Sequence, residues 1–265
     1  MKANAYGIGA IPASRAALQV EGVTGLAVAT PDEAIELRGV SIQCPILLLG
    51  PSTNDAARVL VQQDVSITVT SKDAIDSAEA AGKLLGKKAK IHLKIDTGMG
   101  RIGFAPGQEL DNALDLLKIC NSIQVEGMFT HFSSADANKD YTFEQWARFQ
   151  DAVGQARKAG IHPSYLHTSN SAAILDFPQS HLDLVRPGIM IYGSYPSPAL
   201  ADKAFLYPVF SLKARISHTK IVGPGTYIGY GMTYKTSSST VIATVPVGYA
   251  DGYPRLLSNV GSVLI

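Results

Sequence analysis

The chain has 265 residues, enough to bury a large core and to hold more than one domain. Its 23 basic and 22 acidic side chains leave a net charge of +1, which offers no field for nucleic acid or an anionic membrane. The longest apolar runs, such as Pro45-Ile46-Leu47-Leu48-Leu49, are too short to span a bilayer. Two cysteines, Cys44 and Cys120, make neither a disulfide framework nor a metal site, and both read as small core side chains. No signal-peptide pattern is visible, and a cytoplasmic enzyme is the expectation.

The opening segment, Met1-Lys2-Ala3-Asn4-Ala5-Tyr6-Gly7-Ile8-Gly9, sets a lysine before a small, glycine-rich stretch. Short apolar runs then alternate with helical patterns. The strand-like runs are 24–28, 46–49, 65–69, 91–95 and 125–131, and the helical patterns include 31–37 and 142–159. Thr30 followed by Pro31-Asp32-Glu33 has the composition of a helix N-terminus. Such alternation predicts a parallel sheet with helices outside, as a (β/α)₈ barrel or a doubly wound sheet. The pattern changes after Tyr195-Pro196-Ser197-Pro198. Runs at 210–222, 227–234, 240–247 and 262–265 are rich in Val, Ile, Thr and Tyr and lack intervening helices. Domains at 1–204 and 205–265 are therefore expected, the second mostly β. The apolar final run and the absence of a strand before Lys2 predict a chain truncated at both ends.

Seven segments, in order, resemble the alanine racemase family. The first nine residues are similar to V-K-A-N-A-Y-G-H-G, with Ile8 in place of the histidine. Lys94-Ile95-Asp96-Thr97-Gly98-Met99-Gly100-Arg101-Ile102-Gly103-Phe104 matches K-[VIL]-D-T-G-M-G-R-[LI]-G-F. Gly127-Met128-Phe129-Thr130-His131-Phe132 ends an apolar strand on a histidine. His167-Thr168-Ser169-Asn170-Ser171-Ala172-Ala173 resembles H-x-x-N-S-A-A, and Val185-Arg186-Pro187-Gly188-Ile189 resembles V-R-P-G-I. Gly229-Tyr230-Gly231-Met232-Thr233-Tyr234 and Gly248-Tyr249-Ala250-Asp251-Gly252-Tyr253-Pro254-Arg255 supply two tyrosine motifs near the end.

The resemblance implies a fold-type III pyridoxal 5'-phosphate (PLP) enzyme. Its expected architecture is a (β/α)₈ TIM-type barrel, with its first strand missing here, followed by an incomplete, mostly β C-terminal domain. The implied reaction interconverts L- and D-alanine by two bases. Lys2 would hold PLP as a Schiff base and serve as one base. Tyr230, supplied by the other subunit of a homodimer, would be the second. Tyr6, Ser171 and the backbone at Gly188 and Ile189 are implied phosphate ligands, and Arg186 faces the ring nitrogen. A guanidinium donates a hydrogen bond without giving up its proton, so that nitrogen stays unprotonated. Arg101 takes the substrate carboxylate and the cofactor hydroxyl, and Tyr249 stands near the substrate entrance. Lys94 is implied to be a carbamylation site whose new charge positions Arg101. His131 is implied to hydrogen-bond Tyr230, since a free tyrosine titrates near about 10 and needs help to act as a base.

Read without the family, each residue has a plainer role: a solvated Lys2, a surface Arg101, a structural His131, Ser171 as a helix cap, Tyr230 as a packing residue. No metal spacing surrounds His131. Three other readings compete: a racemase for another amino acid such as serine, a non-catalytic PLP-binding barrel, and an inactive fragment. The β-rich region after Tyr207 and the presence of Tyr230 argue against the non-catalytic barrel.

Overall fold

The computed structural model describes residues 1–265, which form two compact units, Met1–Val209 and Phe210–Ile265. In the first unit six strands alternate with helices. They are β1 (Leu26–Val28), β2 (Ile46–Leu48), β3 (Val65–Val69), β4 (Ala89–Lys94), β5 (Ile123–Phe129) and β6 (Tyr165–His167), all parallel and ordered as in the chain. This is the sheet of a TIM-type α/β domain with six of eight strands formed. β3 coincides with the expected run. β6, which the apolar pattern does not reveal, is a three-residue strand ending on His167.

Helices α3 (Pro31–Gly39), α4 (Asn54–Gln62), α5 (Lys72–Leu85), α6 (Gln108–Ile119) and α7 (Lys139–Lys158) cover the sheet. Their starts follow from local chemistry. The side chains of Thr30, Thr53, Ser71 and Asn138 accept the backbone N–H three residues on. At Thr30 a full capping box forms with Glu33. Val28, Leu48, Ile67, Val69, Ile91 and Leu93 are buried with Leu37, Leu60, Ile75 and Leu110 from the helices in one core. Burying a side chain of this size contributes about 1.5–3 kcal/mol.

Both edges of the sheet are engaged. At β1, the Met1 ammonium donates to the Ala27 carbonyl. At β6, Asp183 N–H donates to Leu166 O (3.1 Å) and Arg186 N–H to Ser169 O (3.0 Å). The segment around Arg186 thus lies along β6 although it forms no strand. Tyr6 and Tyr192 bring the two edges together, with ring centroids 5.1 Å apart.

In the second unit β7 (His218–Val222) pairs antiparallel with β10 (Thr240–Thr244), and β8 (Tyr227–Ile228) with β9 (Tyr234–Lys235). These strands are shorter than the apolar runs. The expected strand at 210–222 begins only at His218, and 262–265 form none. Lone strands gain nothing without a partner to take their backbone groups, and only 218–222 finds one.

Candidate active site

The chemistry-bearing residues of the first unit cluster at the C-terminal ends of its strands, where α/β barrels place their sites. Lys2 begins α1 (Lys2–Tyr6), a single turn with left-handed backbone: φ is 53° at Ala3, 52° at Asn4, 53° at Ala5 and 57° at Tyr6. It replaces the extended delivery expected for the lysine. Hydrogen bonds hold it: Ala3 N–H to Glu33 Oε1 (2.6 Å), Ala10 N–H to Asn4 Oδ1 (2.8 Å) and Gly9 N–H to Asn4 O (2.9 Å). The turn sets the exposed Lys2 ammonium 5.7 Å from the Tyr6 ring centroid.

β4 ends at Lys94, which is 2% exposed. Its ammonium donates to Ile95 O (2.8 Å) and Ile102 O (3.3 Å) and lies 5.7 Å from the Phe129 ring. Burial lowers its pKa to about 8; Asp96 opposes this, while Arg186 and Arg101 reinforce it. A lysine so poised is a nucleophile at mildly basic pH. The following loop turns on Asp96, whose Oδ1 accepts N–H groups from Gly98 (3.0 Å), Met99 (2.9 Å) and Gly100 (3.0 Å). Burial pushes the Asp96 carboxyl upward, yet these amides and Lys94 hold it below its usual range. Gly103, at φ +111°, closes the loop where a Cβ would lie 2.7 Å from Lys94 O. Arg101 stays exposed on this loop.

His131 follows β5. Burial first, then Arg186, Arg101, Lys94 and Lys2, lower its pKa to about 3, so the ring is neutral at physiological pH. Every charge pressing on it is positive. The Arg186 guanidinium donates to His167 Nδ1 (2.5 Å), Thr130 O (2.8 Å) and Thr168 O (3.0 Å), with His131 Nδ1 at 3.4 Å and the Phe129 ring centroid 5.2 Å away. Burial lowers its pKa to about 9, which leaves it charged at neutral pH.

Ser171 is the first residue of α8 (Ser171–Asp176) and not its cap, since Asn170 Oδ1 takes the Ala173 N–H (3.1 Å). Freed from capping, the Ser171 hydroxyl accepts Gly188 N–H (2.9 Å) and Met190 N–H (3.5 Å), and its own proton can be given to an anion. Ile189 opens a short 3₁₀ turn, Ile189–Tyr192. In the second unit Tyr230 opens another such turn and is fully exposed, as is most of Tyr249, whose ring lies 5.9 Å from the Arg255 guanidinium.

Sequence reasoning missed Gln145, which is fully buried on α7. It binds Ser133 N–H (2.9 Å), Thr97 Oγ1 (3.3 Å) and His131 O (3.2 Å), tying the loops after β4 and β5 together. It missed His92 and Glu126 as well, which meet between β4 and β5 (3.3 Å). A buried amide inside an amphipathic helix was the available signal for Gln145.

A parallel β/α sheet that gathers cations and a serine hydroxyl at its strand ends has the architecture of a TIM-type enzyme. The family models "Alanine racemase, N-terminal domain" and "Alanine racemase, C-terminal domain" match residues 1–196 and 209–265. An alanine racemase of Desulforamulus reducens is 47% identical over 269 residues, spanning 100% of this chain and 72% of its own length. One from Methanococcus maripaludis is 42% identical over 267 residues, spanning 100% of this chain and 71% of its own length. Among solved structures, alanine racemase of Clostridium difficile 630 superposes with a TM-score of 0.88 at 42% identity, covering 96% of this chain and 67% of that one. That of Streptomyces coelicolor A3(2) gives 0.89 at 36% identity, covering 96% and 69%. The chain belongs to the alanine racemase family.

Proposed function

We propose that this racemase interconverts L- and D-alanine with PLP as cofactor, in a homodimer whose second unit begins a mostly β domain. One observation carries the reading: the charges that bear on His131 are those of Arg186, Arg101 and Lys2, joined by Lys94 while it is an unmodified amine, and no acid is among them. A site so biased suits a ligand carrying a phosphate and an amino acid carrying a carboxylate.

The donor set fits PLP. Tyr6, the Ser171 hydroxyl and the backbone around Gly188 and Ile189 would take the phosphate, and Arg186 the ring nitrogen. When bound, PLP joins the amine of lysine or substrate through its aldehyde and withdraws electrons from the α-carbon, making the α-proton acidic. The Lys2 amine would hold the cofactor and would move a proton on one face of the substrate. Tyr230 of a second copy moves a proton on the other face, which inversion requires. Arg101 binds the substrate carboxylate, steadied by a carbamate on Lys94, and Tyr249 lines the approach. His131, kept neutral, accepts or donates one hydrogen bond to Tyr230 without adding a charge. Arg186 stays protonated and so would donate a hydrogen bond to the ring nitrogen without protonating it. Alanine as substrate accords with the names of the relatives, and a cytoplasmic setting is proposed with it.

Mixing subunits tests the arrangement. Tyr230→Phe and Lys2→Ala should each lower racemisation by roughly 10²–10⁴-fold or more. Heterodimers of the two should regain activity, because one of their sites holds both intact bases. No recovery in verified heterodimers would refute a shared site.

A further inference from the structure

The interior of a TIM-type sheet is ordinarily packed with branched apolar side chains. Here a polar column runs through it. Arg186 Nη1 lies 2.5 Å from His167 Nδ1, His167 Nε2 lies 2.8 Å from His92 Nδ1, and His92 Nε2 lies 3.3 Å from Glu126 Oε2. His92 is 4% exposed and His167 1%. Ser66 Oγ donates to the same Glu126 oxygen at 2.6 Å, and the Lys90 ammonium lies 3.9 Å from the other. Glu126 sits four to five residues along β5 from Thr130 and His131, roughly 13–17 Å at the rise of a strand.

The column has one direction. A guanidinium only donates, so His167 Nδ1 accepts. A neutral His167 then carries its proton on Nε2 and donates to His92 Nδ1. His92 in turn donates from Nε2 to Glu126, which as a carboxylate only accepts. Burial, then Arg186, holds His167 well below its usual pKa and so keeps it neutral. The His92 hydrogen bond, with those of Ser66 and the charge of Lys90, keeps Glu126 ionised against its burial. Each imidazole nitrogen along the line has a partner.

Backbone geometry is committed to this line. β4 and β5 shift register between Ile91 and His92, pairing Ile91 with Val125 and His92 with Gly127, so Glu126 falls in the gap. At Gly127 a Cβ would lie 2.3 Å from His92 Nδ1, so only glycine leaves room for the ring.

We propose that Glu126 is a positioning residue for racemisation, the counter-charge of Arg186 delivered across the barrel interior by His167 and His92. A carboxylate set directly on the guanidinium would occupy the fork that faces the cofactor. Moved to the far end of two neutral imidazoles, the charge compensates the buried cation while the remaining N–H groups stay free. This rests on reading Arg186 as the ring-nitrogen partner.

The test is nitrogen NMR. In the cofactor-free chain labelled with ¹⁵N-histidine, Nδ1 of His167 and of His92 should resonate as lone-pair nitrogens and both Nε2 as N–H. A proton on His167 Nδ1 would overturn the proposal without any variant. In the chain loaded with ring-¹⁵N PLP, Arg186→Leu and Glu126→Gln should both shift the ring-nitrogen resonance, Glu126→Gln by less. Glu126→Gln should also lower kcat by about tenfold, the scale of lost outer partners, with KM little changed. A shift with Arg186→Leu but none with Glu126→Gln would sink the relay and spare the contact. No shift with Arg186→Leu would sink the contact itself and the relay with it.

Discussion

Gly127→Ala is the smallest change expected to dismantle the interior column. The new methyl would lie 2.3 Å from Nδ1, 2.4 Å from Cε1 and 2.9 Å from Cγ of His92. The backbone at Gly127 cannot retreat, since it pairs with His92 on one side and Tyr165 on the other. The ring must move, and with it go the contacts to His167 and Glu126. Overpacking costs about 1–3 kcal/mol, and a buried donor or acceptor left without its partner adds about 1–3 kcal/mol. We expect a total of about 3–5 kcal/mol, or a melting temperature roughly 10 °C lower for a unit of this size. Urea and thermal unfolding followed by circular dichroism read this directly. The control is His92→Ala, which vacates the volume. In that background Gly127→Ala should cost less than about 1 kcal/mol, giving a coupling energy of at least about 2 kcal/mol. Equal cost in both backgrounds would show that the His92 ring is not what Gly127 accommodates.

Glu33→Ala should remove the capping box of α3 and release Ala3 N–H, lowering stability by about 1–2 kcal/mol and weakening PLP binding in an absorbance titration; unchanged PLP affinity would mean that the Lys2 turn stands without Glu33. Lys94 has a folded pKa of about 8, below its unfolded value, so between pH 8 and about 10.5 the unfolded chain binds more protons. In carbonate-free buffer, stability should rise across that window by up to about 3 kcal/mol, and Lys94→Met should lack the rise. His131, lowered to about 3, stays neutral in the folded chain while the unfolded ring gains a proton below about 6.5. Stability should therefore fall as pH drops from 6.5 towards 3, and His131→Gln should make the fall shallower; an identical slope would contradict the burial of that ring.

The sequence disclosed what period and composition encode. β3 was legible because four of the five residues in Val-Ser-Ile-Thr-Val are β-branched, and α7 because apolar residues recur through most of its twenty residues. β6 was not, because Tyr-Leu-His is too short to show a period. The left-handed turn was hidden for another reason. Ala3, Ala5 and Tyr6 do not favour positive φ, and the bonds that impose it come from Glu33 and Met1. Ser171 read as a cap because serine caps helices, but Asn170 beside it competes better for the same amide. The pairing of His92 with Glu126 depends on a register shift that strict alternation does not encode. In a barrel both faces of a strand are buried, so inward polar residues leave no alternating signature.

The Lys2 turn shows why strain and function coincide here. Four consecutive non-glycine residues hold φ between 52° and 57°. At about 1–2 kcal/mol each, the turn costs roughly 4–8 kcal/mol if nothing opposes it, comparable to the net stability of a domain. It persists because its surroundings determine it: the Met1 ammonium on Ala27, Glu33 on Ala3, and Asn4 bonded through both its side chain and its carbonyl. Glycine in place of Ala3 or Ala5 would remove much of the steric cost. It would also open other conformations, and the 5.7 Å spacing of the Lys2 ammonium from the Tyr6 ring would no longer be fixed by the backbone. In the proposed function Lys2 and Tyr6, four residues apart, act as base and phosphate ligand, and that pairing needs one geometry through every turnover. Alanines locked in a left-handed turn supply that rigidity, and the cost falls on bonds made elsewhere in the fold.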